Sequence, residues 1–179
     1  NCTNNNLTNI DVSTNVALTD LYCNNNNLTN IDVSTNINLW LLNCTYNNLT
    51  SLDVSQNSNL ENLSCSYNSL TSLNVDGTLI WSLSATNNLL TSFASTTKFG
   101  YLVLSDNQLN TIDLSNQNFL WELELANNSL TSLDLSACSE LYNLYCSNNA
   151  LTSLDLSNCY GFAGGGLEGI DCSNNNLTC

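Results

Sequence analysis

The 179-residue sequence contains no histidine and a single basic side chain, Lys98, against fifteen aspartates and glutamates, for a net charge of −14. Histidine is the side chain that most often moves protons near neutral pH and most often ligates zinc. Its absence removes Ser-His-Asp, Cys-His and histidine-metal chemistry together. With so little Lys and Arg there is nothing to neutralise phosphates, so nucleic acid is excluded as a partner and an anionic membrane surface is disfavoured. No uninterrupted apolar stretch approaches the roughly 18 residues of a membrane span, and no signal-peptide h-region is present, so membrane insertion is not expected. The chain starts at Asn1 and reads as a mature or excised segment, with any signal peptide or anchor outside it.

Charge is scarce as well, at 9% of residues against 42% hydrophobic, and about a fifth of the chain is asparagine. Disorder usually combines low hydrophobicity with high net charge, so this is a foldable chain whose polar surface is amide and hydroxyl.

What the sequence does have is a repeat. Cys2, Cys23, Cys44 and Cys65 recur every 21 residues in the frame Leu18-x-x-Leu21-x-Cys23-x-x-Asn26-x-Leu28, followed by Thr29-x-Ile31-Asp32-Val33-Ser34. Ala85, Leu104 and Leu125 carry the cysteine column through the middle, and Cys146 and Cys172 complete it, with steps of 21, 21, 21, 20, 19, 21, 21 and 26 residues. That makes about nine coils in a single array over residues 1–179, the first and last incomplete. The coils over about 74–101 are irregular and expected to break the register, and the 26-residue step contains a glycine-rich insertion at about 160–166.

Asn5, Asn26, Asn47, Asn68, Asn88, Asn107, Asn128, Asn149 and Asn175 form the strictest column. A buried turn leaves backbone donors and acceptors that must be paired, and one amide per coil supplies both, which stacking turns into an asparagine ladder. Two apolar columns, Leu18 to Leu167 and Leu21 to Ile170, point inward. One coil cannot bury its own apolar side, whereas stacked coils share a continuous core.

The pattern LxxLxCxxNxLTxLDVS resembles a bacterial-type leucine-rich repeat, and its 21-residue period and cysteine column are similar to internalin-like repeats with a cysteine ladder. The resemblance covers essentially the whole chain. It implies a leucine-rich-repeat solenoid with a parallel β-sheet on the concave side, short turns or 3₁₀ segments on the convex side, and ligand binding that is usually concave. Neither end carries a recognisable cap.

Six of the nine cysteines occupy the inward column and are expected to be small buried free thiols, because parallel neighbours rarely meet the disulfide dihedral requirement. Cys138 and Cys159 share a different column, read as lying outside the core, where earlier coils have Asn15, Asn36 and Asn57; a bridge between them is a candidate disulfide. Cys179 pairs with one of them, with a neighbouring chain, or with nothing.

Thr8, Thr29, Thr50, Thr71, Thr91, Thr131, Thr152 and Thr178 form an outward rank beside Asp11, Asp32, Asp53, Asp113, Asp134 and Asp155. These read as turn residues whose oxygens accept local backbone N–H groups; an ice-binding face is the minor alternative. Asn74 and Ala94 interrupt the aspartates and no calcium-loop pattern appears, so neither metal nor cofactor is expected. Eight N-x-S/T sequons, at Asn1, Asn6, Asn27, Asn43, Asn48, Asn62, Asn127 and Asn176, are candidate glycosylation sites.

Solvent-facing strand positions collect the large side chains. Trp40, Trp81 and Trp121 share one column, Tyr142 continues it, and Tyr22, Tyr46, Tyr67, Tyr101 and Tyr145 are placed on the same face. Rings on a rigid surface bury area at little entropic cost, which makes these nine the candidate ligand-binding residues; cross-strand stiffening of the sheet is the competing reading. Glu122, Glu124, Asp106, Glu168 and Asp171 on this side read as a solvated rim. Nothing pairs an acid with a base in different environments, so no catalytic residue is expected.

The function expected from the sequence is therefore a non-catalytic extracellular or cell-surface module for adhesion or recognition of a protein or glycan. The alternative is a structural subunit that self-associates end to end into an extracellular filament, motivated by uncapped ends with open strand edges.

Overall fold

The structure, a computed structural model, describes residues 1–161 and 164–178. Each coil after the first places one three-residue strand on the concave side. In β1 (Asp20–Tyr22), Leu21 points into the core while Asp20 and Tyr22 face out, because side chains alternate along an extended chain. The same alternation repeats in β2 (Leu41–Asn43), β3 (Asn62–Ser64), β4 (Ser82–Ser84), β6 (Tyr101–Val103), β8 (Glu122–Glu124), β9 (Asn143–Tyr145) and β10 (Gly169–Asp171). These strands form one parallel sheet of eight in the order β1-β2-β3-β4-β6-β8-β9-β10.

Every pairing joins equivalent repeat positions, from Leu21↔Leu42 to Leu144↔Ile170. A sequence column is therefore a spatial row. The count of about nine coils is slightly high for the sheet: the first coil is tied on by the Cys2 N–H to the Tyr22 carbonyl at 2.8 Å but contributes no strand.

The register break expected in the shorter coils does not reach the sheet, where Leu83 pairs with Leu102 in step. The missing residues are taken up on the opposite side. There β5 (Ser92–Ala94) and β7 (Thr111–Asp113) form a second parallel pair, and Asp76 accepts from the Ser95 hydroxyl at 2.7 Å and the Thr96 amide at 2.8 Å across the coil boundary.

The leucine columns are buried as expected, with Leu39, Leu42, Leu60, Leu83, Phe99, Leu102, Leu120, Leu123, Leu141 and Leu144 in one continuous cluster. Ile170 departs from its column by standing exposed.

The asparagine ladder is fully made. Asn47 Nδ2 donates to the carbonyls of Cys44 (3.0 Å) and, one coil back, Cys23 (3.1 Å), while its Oδ1 accepts the Leu28 amide at 2.9 Å. The turn itself is set one position before each ladder asparagine, where Asn25, Tyr46, Tyr67, Asn87 and Asp106 all have φ between 54° and 56°.

The cysteine column is a row of free thiols, with Cys23, Cys44, Cys65 and Cys146 buried and Cys2 and Cys172 partly so. Thiol Sγ donates to the next coil's carbonyl, as from Cys23 to Asn43 at 3.5 Å. Burial pushes the Cys23 and Cys65 thiols up to about 12.

Two readings of the convex side need correction. The column of Asn15, Asn36, Asn57, Cys138 and Cys159 is not outside the core beyond its exposed first member, Asn15: Asn36, Asn57 and Cys138 are fully buried and Cys159 nearly so. The reason is a second ladder, in which Asn57 Nδ2 donates to the carbonyls of Val33 (3.0 Å) and Asn36 (2.9 Å), and Gln117 Nε2 to Thr97 (2.9 Å). Cys138 and Cys159 fill this column as free thiols.

The threonine rank is exposed, and the local turn acceptors are instead the aspartates. Asp32 Oδ1 accepts the Ser34 amide at 2.9 Å, and Asp11, Asp53, Asp113, Asp134 and Asp155 make the equivalent bond two residues ahead. Bonds from the serine hydroxyl and amide hold these carboxyls below their ordinary value.

The glycine-rich insertion closes on itself through the Gly166 amide to the Tyr160 carbonyl at 2.6 Å, with Gly161, Gly164 and Gly166 at positive φ. Residues 162 and 163 of that insertion, and Cys179 with its candidate pairings, lie outside the described residues.

Candidate functional site

Residues just before each strand form the row Thr19, Trp40, Glu61, Trp81, Gly100, Trp121, Tyr142 and Glu168 along the open face of the sheet. Gly100 is what makes the row a site. A Cβ there would lie 2.1 Å from Cε2 of Trp81, so the indole of Trp81 lies directly over the glycine backbone. It thereby reaches past one strand to Trp121, which it meets edge to face with centroids 5.3 Å apart and planes at 89°.

Tyr101 joins from the next row, 6.1 Å from Trp121 at 77°. Trp121 is anchored in turn by its Nε1–H, which donates to Glu140 Oε2 at 3.2 Å.

Beside this cluster a hollow of about 510 Å³ opens between Tyr101, Trp121, Glu122, Tyr142, Asn143 and Glu168. The acids here are not a loose rim. Glu122 Oε2 accepts the Asn143 amide at 3.0 Å. The Tyr142 hydroxyl donates to Glu168, and that bond, helped by burial and the Glu168 charge, raises the phenol above its ordinary range. Glu124, facing the same way two residues along β8, is raised by burial first and by the Glu122 charge second.

The structure brings together four of the nine ring residues singled out from the sequence: Trp81, Tyr101, Trp121 and Tyr142. Trp40 stands apart and exposed, separated from Trp81 by the Glu61 coil. Tyr22 and Tyr145 lie half-buried in the row at the far end of the strands, the Tyr145 hydroxyl 2.9 Å from where a Cβ on Gly169 would sit.

Tyr46 and Tyr67 are not on the face. They occupy the positive-φ turn after the strand, each at φ 54°, and stack on each other at 4.1 Å with planes 13° apart. Asp106 belongs to that same turn row, where its Oδ1 accepts the Asn127 amide at 2.8 Å. Gly100 and Asn143 escaped sequence reasoning. The only signal was a glycine interrupting a row of bulky residues.

Of the sequons, Asn1, Asn6, Asn27, Asn48, Asn127 and Asn176 are exposed, whereas Asn43 and Asn62 are half-buried within β2 and β3 on the sheet itself. No helix among the described residues is long and apolar enough to cross a membrane.

No protein-family profile and no curated protein sequence matches the chain. Solved structures do. The functional domain of InlJ from Listeria monocytogenes, described as including a cysteine ladder, is 36% identical, with TM-score 0.68 over 97% of this chain and 34% of that one. The leucine-rich-repeat domain of APL1B (22% identical, TM-score 0.64, covering 85% of this chain and 53% of that one) shares the fold. So does a leucine-rich-repeat protein of Leptospira interrogans (21% identical, TM-score 0.55, 98% and 60%).

The chain thus spans about a third of the InlJ domain it matches. Stacked coils of this kind create extended curved surfaces suited to protein interaction. With the parallel sheet, the buried thiol row and the asparagine ladder in place, the chain is a leucine-rich-repeat solenoid similar to the InlJ domain that carries a cysteine ladder.

Proposed function

We propose that the protein is a non-catalytic recognition module of the cell exterior that engages a protein partner through the aromatic part of its concave sheet. The observation that carries this reading is the Trp81–Tyr101–Trp121 cluster beside an open hollow. Rings already held in place lose little entropy on binding, and aromatic anchors at the centre of an interface carry most of its energy.

The buried thiols are compatible with an exterior setting. Oxidation requires thiolate, and burial that lifts Cys23, Cys65 and Cys138 to about 12 keeps them protonated in an oxidising compartment. The non-catalytic reading is supported by the acids, two of which are engaged with Asn143 and Tyr142 on an open, wet surface.

The test is selection of a phage-displayed peptide library on the immobilised protein. Enriched clones are expected to lose at least tenfold in affinity on Trp81→Ala and on Trp121→Ala, while the melting temperature moves little. Failure to enrich any clone, or clones indifferent to both substitutions, would refute the reading.

A further inference from the structure

The hollow beside the rings has a definite chemistry. It is lined by the rings of Tyr101, Trp121 and Tyr142, by Glu122, Glu168 and Asn143, and by Gly165. Both carboxylates already use part of their capacity, Glu122 on the Asn143 amide and Glu168 on the Tyr142 hydroxyl. An ionised carboxylate has about four lone-pair sites, so each keeps acceptor capacity free toward the hollow.

No basic side chain answers them. The protein's single lysine, Lys98, is directed onto a ring outside the hollow, its Nζ 5.2 Å from the centroid of Phe119. Rings attract cations through their faces, carboxylates attract them through charge, and a planar cation can use both at once.

We infer that this hollow is a socket for a guanidinium: an arginine side chain presented by a protein partner, stacked on the Trp121–Tyr142 wall and forked onto Glu122 and Glu168. The inference rests on the concave recognition reading and adds the chemistry of the partner. Arginine is favoured over lysine because its plane matches ring faces and its donors match two separate carboxylates, whereas an ammonium is a compact and strongly hydrated point. The charge of −14 would draw any basic peptide loosely to the whole surface, so the socket must be separated from that general attraction.

The design that separates them is a matched pair of charge-neutralised variants. Glu122→Gln/Glu168→Gln removes two charges at the socket. Asp32→Asn/Asp53→Asn removes two charges on the convex turns, where Asn74 shows that asparagine holds the same turn, its Oδ1 accepting the Asp76 amide at 3.0 Å. The probes are acetylated, amidated Gly-Arg-Gly, Gly-Lys-Gly and Gly-Gln-Gly peptides, with binding read from amide shifts of residues 121–124 and 142–145.

The arginine peptide is expected to shift these residues with millimolar affinity, the lysine peptide several-fold more weakly, and the glutamine peptide not at all. The socket variant should weaken arginine binding at least tenfold, and the convex variant less than twofold. Equal loss in both variants, or lysine binding as well as arginine, would overturn the assignment. If library clones depend on Trp81 and Trp121 but carry no arginine and ignore Glu122→Gln/Glu168→Gln, the guanidinium socket falls while concave recognition stands.

Discussion

Replacement of one ladder asparagine tests the central physical claim about this fold. Asn47→Ala removes four hydrogen bonds, but their losses are unequal, and the longest, to the Thr45 carbonyl at 3.4 Å, matters least because that carbonyl also accepts the Asn25 amide at 2.9 Å. The carbonyls of Cys23 and Cys44 are each served twice: Cys23 also accepts from Asn26 Nδ2 at 3.0 Å, and Cys44 from Asn68 Nδ2 at 3.1 Å. Each therefore keeps a partner, and the loss there is about 0.5 kcal/mol apiece. The Leu28 amide has no such reserve. It donates to Asn47 Oδ1 at 2.9 Å on a fully buried residue, and leaving it unpaired costs about 2 kcal/mol.

The expected total is about 3 kcal/mol. It should be measured by urea unfolding against Asn48→Ala, an exposed neighbour expected to stay within about 0.5 kcal/mol of the parent. Hydrogen exchange at the Leu28 amide gives the local readout, with protection lost in Asn47→Ala and kept in Asn48→Ala. A destabilisation below about 1 kcal/mol, or a still-protected Leu28 amide, would refute the shared-carbonyl reasoning.

Two further expectations follow from the turns. Asp11, Asp32, Asp53, Asp113, Asp134 and Asp155 have folded pKa values below the ordinary 3.8, so their contribution is present above that pH and lost as pH falls through the depressed values. Glu124 is raised above 4.5 and acts in the opposite sense, favouring the fold slightly as it protonates. A melting-temperature profile should therefore hold or rise on acidification from pH 7 and drop steeply only below about pH 4; a drop beginning near pH 6 would contradict it.

Tyr46 and Tyr67 each hold a left-handed turn conformation that costs a bulky residue about 1–2 kcal/mol, and share one ring stack of about 0.5–1.5 kcal/mol. Converting both to the asparagine used in neighbouring coils relieves two strains and loses one stack. Tyr46→Asn/Tyr67→Asn should gain about 1 kcal/mol in urea unfolding, and a loss would show that the stack outweighs the backbone.

The fold was legible in the sequence because a solenoid is set by local, periodic chemistry. A 21-residue spacing of Leu, Cys and Asn is enough to specify which side chains face inward and which amide closes each turn, since every coil meets only its neighbours. The thiol row and the asparagine ladder could be read for the same reason. Column reading failed where a residue's role depends on what lies beneath it: Cys138 and Cys159 looked peripheral, and only stacking revealed the second ladder that buries them.

The site belongs to tertiary structure in the same way. That Trp40, Trp81 and Trp121 share a row was visible along the chain, but that Trp81 lies over Gly100 to touch Trp121 while Trp40 stands alone was not. Sequence periodicity determined the rows. Side-chain reach across a missing Cβ, and the bonds that hold Glu122 and Glu168 against Asn143 and Tyr142, decided which members of those rows form a surface.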